Sequence, residues 1–173
     1  MKKGLMCFVS MVCVIAMLVS MGSVSFAQET KYKSTHRFLN YMDELGIPYK
    51  YYGIDDKNWE AVVINFDTFG LSTFSGVECF IYFEQDDEEV CLRIWDLVKP
   101  SAGKNYTLST INDLNDYCPH VDFVFDENHS TIFAQIDMFI HINHCSSLVF
   151  KAMEVLYNTL EDEEISQALK GLE

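Results

Sequence analysis

His141-Ile-Asn-His144-Cys145 is the one local grouping in the chain with the residue types of a metal site. Imidazole and thiolate are good zinc ligands, and so acidic a chain could supply an aspartate or glutamate as a third or fourth. The spacing itself argues the other way. The two histidines straddle a strand end and a helix start, so nothing in the sequence places them on a common face. A cysteine held in a disulfide cannot ligate as a thiolate. A structural polar cluster is the plainer reading, and no metal ligand is assigned.

The other reactive residues point to no catalysis. Cys145 beside His144 lacks an orienting third group, and adjacent side chains need not face one another. Ser75-Gly76 lacks the Gly-x-Ser-x-Gly elbow of hydrolases. Phosphate-cradling glycine loops, His-Glu-x-x-His and kinase signatures are absent. The acidic run Glu84-Gln-Asp-Asp-Glu-Glu89 does not match a calcium loop and reads as a solvated turn. His36, His120 and His129 read as surface or turn residues. Asn105-Tyr-Thr107 and Asn128-His-Ser130 match an N-glycosylation pattern, which has meaning only in a glycosylating pathway. No catalytic residue and no cofactor is predicted.

Residues 1–27 read as an export signal: Lys2 and Lys3, an apolar run from Leu5 to Met21, then Ser25-Phe-Ala27 before a cut that leaves Gln28 first, the alternative being an uncleaved membrane anchor. Export implies the periplasm or the exterior, and no stable membrane insertion after cleavage. Residues 28–173 suit one domain. The whole chain carries 12 basic and 26 acidic residues, a net charge of −14. Such a field excludes nucleic acid and anionic membrane surfaces as natural partners and suits a basic one.

Four cysteines remain outside the leader: Cys79, Cys91, Cys118 and Cys145. An even number in an exported chain predicts two disulfides, with three possible connectivities and free buried thiols as the alternative. Cys79–Cys91 forms if Phe83 and Asp87 flank a three-residue link, which sets the two opposite one another. Cys118–Cys145 joins residues just outside the two ends of a later hairpin.

These residues must be positioned by a recognisable series of elements. Phe38, Tyr41, Met42 and Leu45 recur at helical spacing after a cap at Ser34 or Thr35, and Gly46 and Pro48 end that helix. Tyr49–Ile54 and Trp59–Phe66 read as strands about an Asp55–Asn58 turn. Asp67–Ser75 is a connection. Val77–Phe83 and Val90–Trp95 form a hairpin, central in the sheet because both faces of its first strand are apolar. Thr107 caps a helix carrying Leu108, Ile111 and Leu114, which Pro119 closes. Val121–Asp126 and Thr131–Phe139 make a second hairpin. Asn143 caps a last long helix with a stripe from Leu148 to Leu160, and Ile165, Ala168 and Leu169 mark a short terminal one. The expected fold is α+β: an antiparallel meander sheet with flanking helices, in the order helix, four strands, helix, two strands, helix.

That order, with Val90-Cys-Leu-Arg-Ile94, Ile111-Asn-Asp-Leu-Asn115 and Val121–Ile136 with its turn, resembles the YbjN family. These bacterial proteins are related in fold to class I type III secretion chaperones. The resemblance covers about residues 35–160. It implies a chaperone-like fold, protein binding or regulation, and often dimerisation, and it brings no catalytic residues. This chain departs from the usual member in its exported, cysteine-containing form. The expected function is therefore a non-enzymatic exported protein-binding or regulatory module, with a protein partner or a homodimer. The alternative is a small metal-binding protein or metal-dependent hydrolase using His141 and His144.

Overall fold

The computed structural model describes residues 30–85 and 87–173. The expected leader at residues 1–27, with its cleavage point, and Asp86 lie outside the described residues. Helix α1, Lys33–Leu45, ends as its sequence dictates. Gly46 sits at φ 67°, its N–H bonded to Asp43 O, while Ile47 N–H reaches Met42 O. This pair of bonds closes the helix and leaves Met42 and Ile47 buried together.

Strands β1 (Lys50–Ile54), β2 (Glu60–Asn65), β3 (Glu78–Phe83) and β4 (Glu89–Val98) follow as an antiparallel meander. Helix α2 (Lys104–Tyr117) leads to β5 (Asp122–Asp126) and β6 (Thr131–Phe139), then to α3 (Cys145–Glu161) and α4 (Glu163–Lys170). The six strands form one antiparallel sheet in the order β1-β2-β3-β4-β6-β5, with the β3–β4 hairpin at its centre. Both the α+β class and the element order agree with the sequence expectation. The Asp67–Ser75 connection holds one surprise, a 3-10 turn over Phe66–Phe69 that buries both of its end phenylalanines.

Alternation gives the sheet two different faces. Val62, Ile64, Ile81, Phe83, Leu92, Ile94, Ile132 and Ala134 point into the core with buried residues of all four helices, among them Phe38, Leu114, Met153, Leu156 and Leu169. Phe38 meets Phe83 at a ring separation of 5.5 Å. On the other face the side chains cover one another. Tyr82 stacks on Phe80 at 6.2 Å and accepts a 2.9 Å bond from Trp95 Nε1. Trp95 lies 4.9 Å from Phe133, and the Arg93 guanidinium sits 5.1 Å from the Trp95 ring. Beneath this layer Ala61, Val63 and Cys91 are buried.

The first helix is started by the sheet. Neither Ser34 nor Thr35 caps it; both are buried within its first turn. Its N-terminal N–H groups are met by two carboxylates from far along the chain. Glu60, fully buried on β2, accepts from Lys31 N at 2.5 Å, Tyr32 N at 3.0 Å and the Tyr51 hydroxyl at 2.6 Å. Asp87, from the β3–β4 turn, accepts from Ser34 N at 2.9 Å and Ser34 Oγ at 2.5 Å. Four helix-start N–H groups lack intrahelical acceptors, and a carboxylate there also favours the helix dipole. The Tyr51 phenol is pushed well above its ordinary value by burial and by its bond to Glu60. The acidic run is thus more than a solvated turn: one of its members anchors α1. The other two long helices also start without side-chain caps, after Gly103 and His144 rather than at Thr107 and Asn143.

The two expected disulfides are absent: Cys79, Cys91, Cys118 and Cys145 are free thiols. The register explains the first. Phe83 pairs with Val90, so Cys91 stands opposite Tyr82 rather than Cys79. This three-residue difference is odd, so it also sends the two side chains to opposite faces of the sheet. Cys79 lies in the helix-covered core, and Cys91 under the aromatic layer. The second pair is separated by a helix. Cys145 begins α3, while Cys118 is within electrostatic reach of Asp162 just past the end of α3. Seventeen residues of helix make that separation roughly 25 Å, far beyond disulfide reach. Burial raises the Cys79 thiol, and burial with the Asp137 bond raises Cys91 to about 12.

Two outcomes are expected. Glu60→Ala strands two backbone donors and a phenol and lowers unfolding free energy by about 2–4 kcal/mol, with Asp87→Ala costing about 1 kcal/mol; urea denaturation measures both. Native-state alkylation modifies Cys118 at least about tenfold faster than the three buried thiols, read by peptide mass mapping.

Candidate docking site

The outer boundary of the sheet is closed along only part of its length. Strand β5 carries five residues against nine in β6, and their pairing runs from Asp126–Thr131 to Asp122–Gln135. Over that stretch α2 shields the free side of β5. The Asn115 side chain donates to Phe123 O at 3.0 Å and accepts from Phe123 N at 2.7 Å, so it bonds the strand as a neighbouring backbone would. This accounts physically for the second asparagine of Ile111-Asn-Asp-Leu-Asn115.

Beyond Gln135, β6 continues without β5. Ile136, Asp137, Met138 and Phe139 pair on one side with Leu92, Cys91, Val90 and Glu89 of β4. Ile140 N–H bonds Glu88 O at 2.7 Å, which fixes the direction of its backbone groups toward β4. Backbone groups alternate along a strand, so Met138 and Ile136 also face β4, whereas Asp137 and Phe139 turn their N–H and C=O to the open side. No described backbone group pairs with them there. Unpaired strand edges are templates for another chain.

A groove of 480 Å³ runs beside this edge, between β6 and α3. Ile136 and Met138 form its sheet wall; Leu148, Ala152 and Val155 form its helix wall, with Lys151 at the side. It is the place where a longer β5 would have covered the core. Leu148 is 37% exposed, and Phe139, at the strand's end and on the opposite sheet face from Ile136 and Met138, is 79% exposed, the most of any large apolar residue described. An apolar surface of this kind beside free backbone groups has the makings of a strand-addition site.

The residues singled out from sequence fall elsewhere. His141 and His144 do approach one another, with ring centroids 6.3 Å apart, and both are exposed. Cys145 does not join them: it is buried, with its Sγ toward Ser34 O at 3.7 Å between α1 and α3. Among the described residues no three histidine, cysteine, aspartate or glutamate side chains are grouped to hold a metal ion. Asn143 is turned to Arg37, accepting from Nη1 at 3.1 Å, and Arg37 also donates to Ile142 O at 2.6 Å. His129 is fixed in the β5–β6 turn by a 2.6 Å contact with Asp126. That contact raises the imidazole's pKa and lowers the carboxyl's. Among the described residues no helix is long and apolar enough to cross a membrane.

Sequence reasoning missed the groove because it depends on register. The unequal lengths of the last two strands were its only visible sign. No protein-family model matches the chain, and no curated protein matches it.

The open edge has a direct readout. Amide exchange at Asp137 and Phe139 is expected to run at least about a hundredfold faster than at Ile136 and Met138, whose N–H groups are engaged by β4. Equal protection at all four, measured by NMR, would mean that the edge is covered.

Proposed function

We propose that this chain is a non-catalytic, exported protein-binding module that receives an extended segment of its partner along Ile136–Phe139. The observation that carries this reading is the coincidence of an unpaired strand edge, an apolar groove beside it and an exposed phenylalanine at its end. Main-chain bonds to the edge would supply affinity, and alternate side chains of the segment would enter the groove. The open stretch seats about four residues, or roughly 14 Å of strand.

Two features of the sequence support the same reading. The resemblance to the YbjN family implies protein binding rather than chemistry. The excess of 26 acidic over 12 basic residues favours a basic partner and speeds its encounter. Export to the periplasm or exterior rests on the leader at residues 1–27. On this reading His141 and His144 are turn residues beside the open edge, and the four thiols are packing material.

A photo-reactive amino acid placed at Phe139 is expected to cross-link a defined partner in the envelope fraction. The same group at Tyr106, 62% exposed on α2, provides the control. Asp137→Pro removes an N–H that no described strand uses, so the fold survives, yet the added strand is blocked. Loss of the Phe139 cross-links in that variant supports the proposal. Equal labelling from both positions, or labelling indifferent to the proline, rejects it.

A further inference from the structure

A second cavity lies on the other side of the sheet's centre. The β3–β4 pairing ends at Phe80–Arg93, and the register of β4 on β6 slips between Ile94 and Val98. Asp96, inside that slip, has φ 50°, a left-handed conformation uncommon outside glycine, asparagine and aspartate. Irregularities of this kind re-aim side chains and cluster beside functional sites. Here the slip opens a cavity of 540 Å³ bounded by the Thr73–Val77 connection, the distorted part of β4 and the end of α4. That volume lies within the range of small-molecule sites.

Carboxylates outnumber cations in the lining. Phe80 and Trp95 supply aromatic walls, and Glu78, Asp96 and Glu173 supply carboxylates. Lys170 is the one cation of the lining, and it lies 5.2 Å from the Phe74 ring. Lys50 engages Glu78 Oε1 at 2.8 Å, from outside the lining. Ring faces carry the negative end of the aromatic quadrupole, so they and the carboxylates select the same charge. The rings around this cavity already take cations: Arg93 sits over Trp95 as Lys170 does over Phe74. An anion would meet repulsion from three carboxylates. A neutral apolar molecule would cover Asp96 and Glu173 without supplying them a counter-charge.

We propose that this cavity binds an alkylammonium group, its charge between Asp96 and Glu78 and its methylenes along Phe80 and Trp95. The group is either the end of a free polyamine or the tip of a lysine side chain. This site is separate from the β6 edge and does not depend on the docking proposal.

The test is a fluorescence titration of the full-length protein carrying Trp59→Phe, which leaves Trp95 as the reporter. The probes are 1,5-diaminopentane, Nα-acetyl-lysine N-methylamide and 1-pentanol. Both amines are expected to give saturable changes, with pentanol giving none. Asp96→Asn, whose new side chain tolerates the same backbone, and Glu78→Gln should each weaken amine binding at least about tenfold. Circular dichroism confirms that each variant is folded. Tighter binding of the diamine identifies a free polyamine as the natural source, and tighter binding of the lysine derivative identifies a protein side chain. No saturation by either amine, equal binding of pentanol, or binding unchanged in both folded variants would overturn the proposal.

Discussion

The buried carboxylate of Glu60 is the constraint on which this arrangement turns. A carboxylate removed from water must have its oxygens occupied, because desolvation without partners costs several kcal/mol. Glu60 meets that demand with the backbone before α1 and with the Tyr51 hydroxyl. One side chain therefore ties the start of the first helix to β1 and β2, the first two strands of the meander. Asp87 repeats the device from the central turn. The position of α1 over the sheet follows from these two residues as much as from its apolar stripe.

Local patterns carried most of the fold. Alternation identified the strands, helical spacing identified the long helices, and Gly46 and Pro119 marked helix ends that lie where they were expected. What local pattern cannot carry is register and remote pairing. A three-residue difference in the β3–β4 turn was enough to part Cys79 from Cys91. Glu60 looked like an ordinary polar position in an alternating strand, yet nothing in β2 is more deeply buried. Local capping signals mislead because the three long helices have no side-chain cap of their own. The docking groove showed in sequence only through the short β5, and its far wall comes from α3 and needed the tertiary fold. The His141–Cys145 cluster, read from sequence as structural rather than ligating, divides in the fold: the two imidazoles approach one another while the thiol turns inward toward Ser34.

The two faces of the sheet divide the work of the molecule. The core face gathers helices and supplies most of the apolar burial. The other face makes a second, thinner layer from its own aromatic side chains, with Arg93 held among their rings. Each candidate site lies where one of these coverings stops. The β6 edge opens where β5 ends, and the aromatic-walled cavity opens where β3 and β4 separate. Regular pairing stabilises the centre, while interruptions of pairing leave backbone, rings and carboxylates accessible.

The remote start of α1 has a consequence for the order in which the chain comes into being. Asp87 lies 53 residues after Ser34, and Glu60 lies 28 after Tyr32. During synthesis from the N-terminus, the helix sequence is complete long before either acceptor exists. Thirteen residues without a cap of their own make only a marginal helix in water. The start of α1 is thus settled by residues that the ribosome has yet to add, and its first turn waits for them.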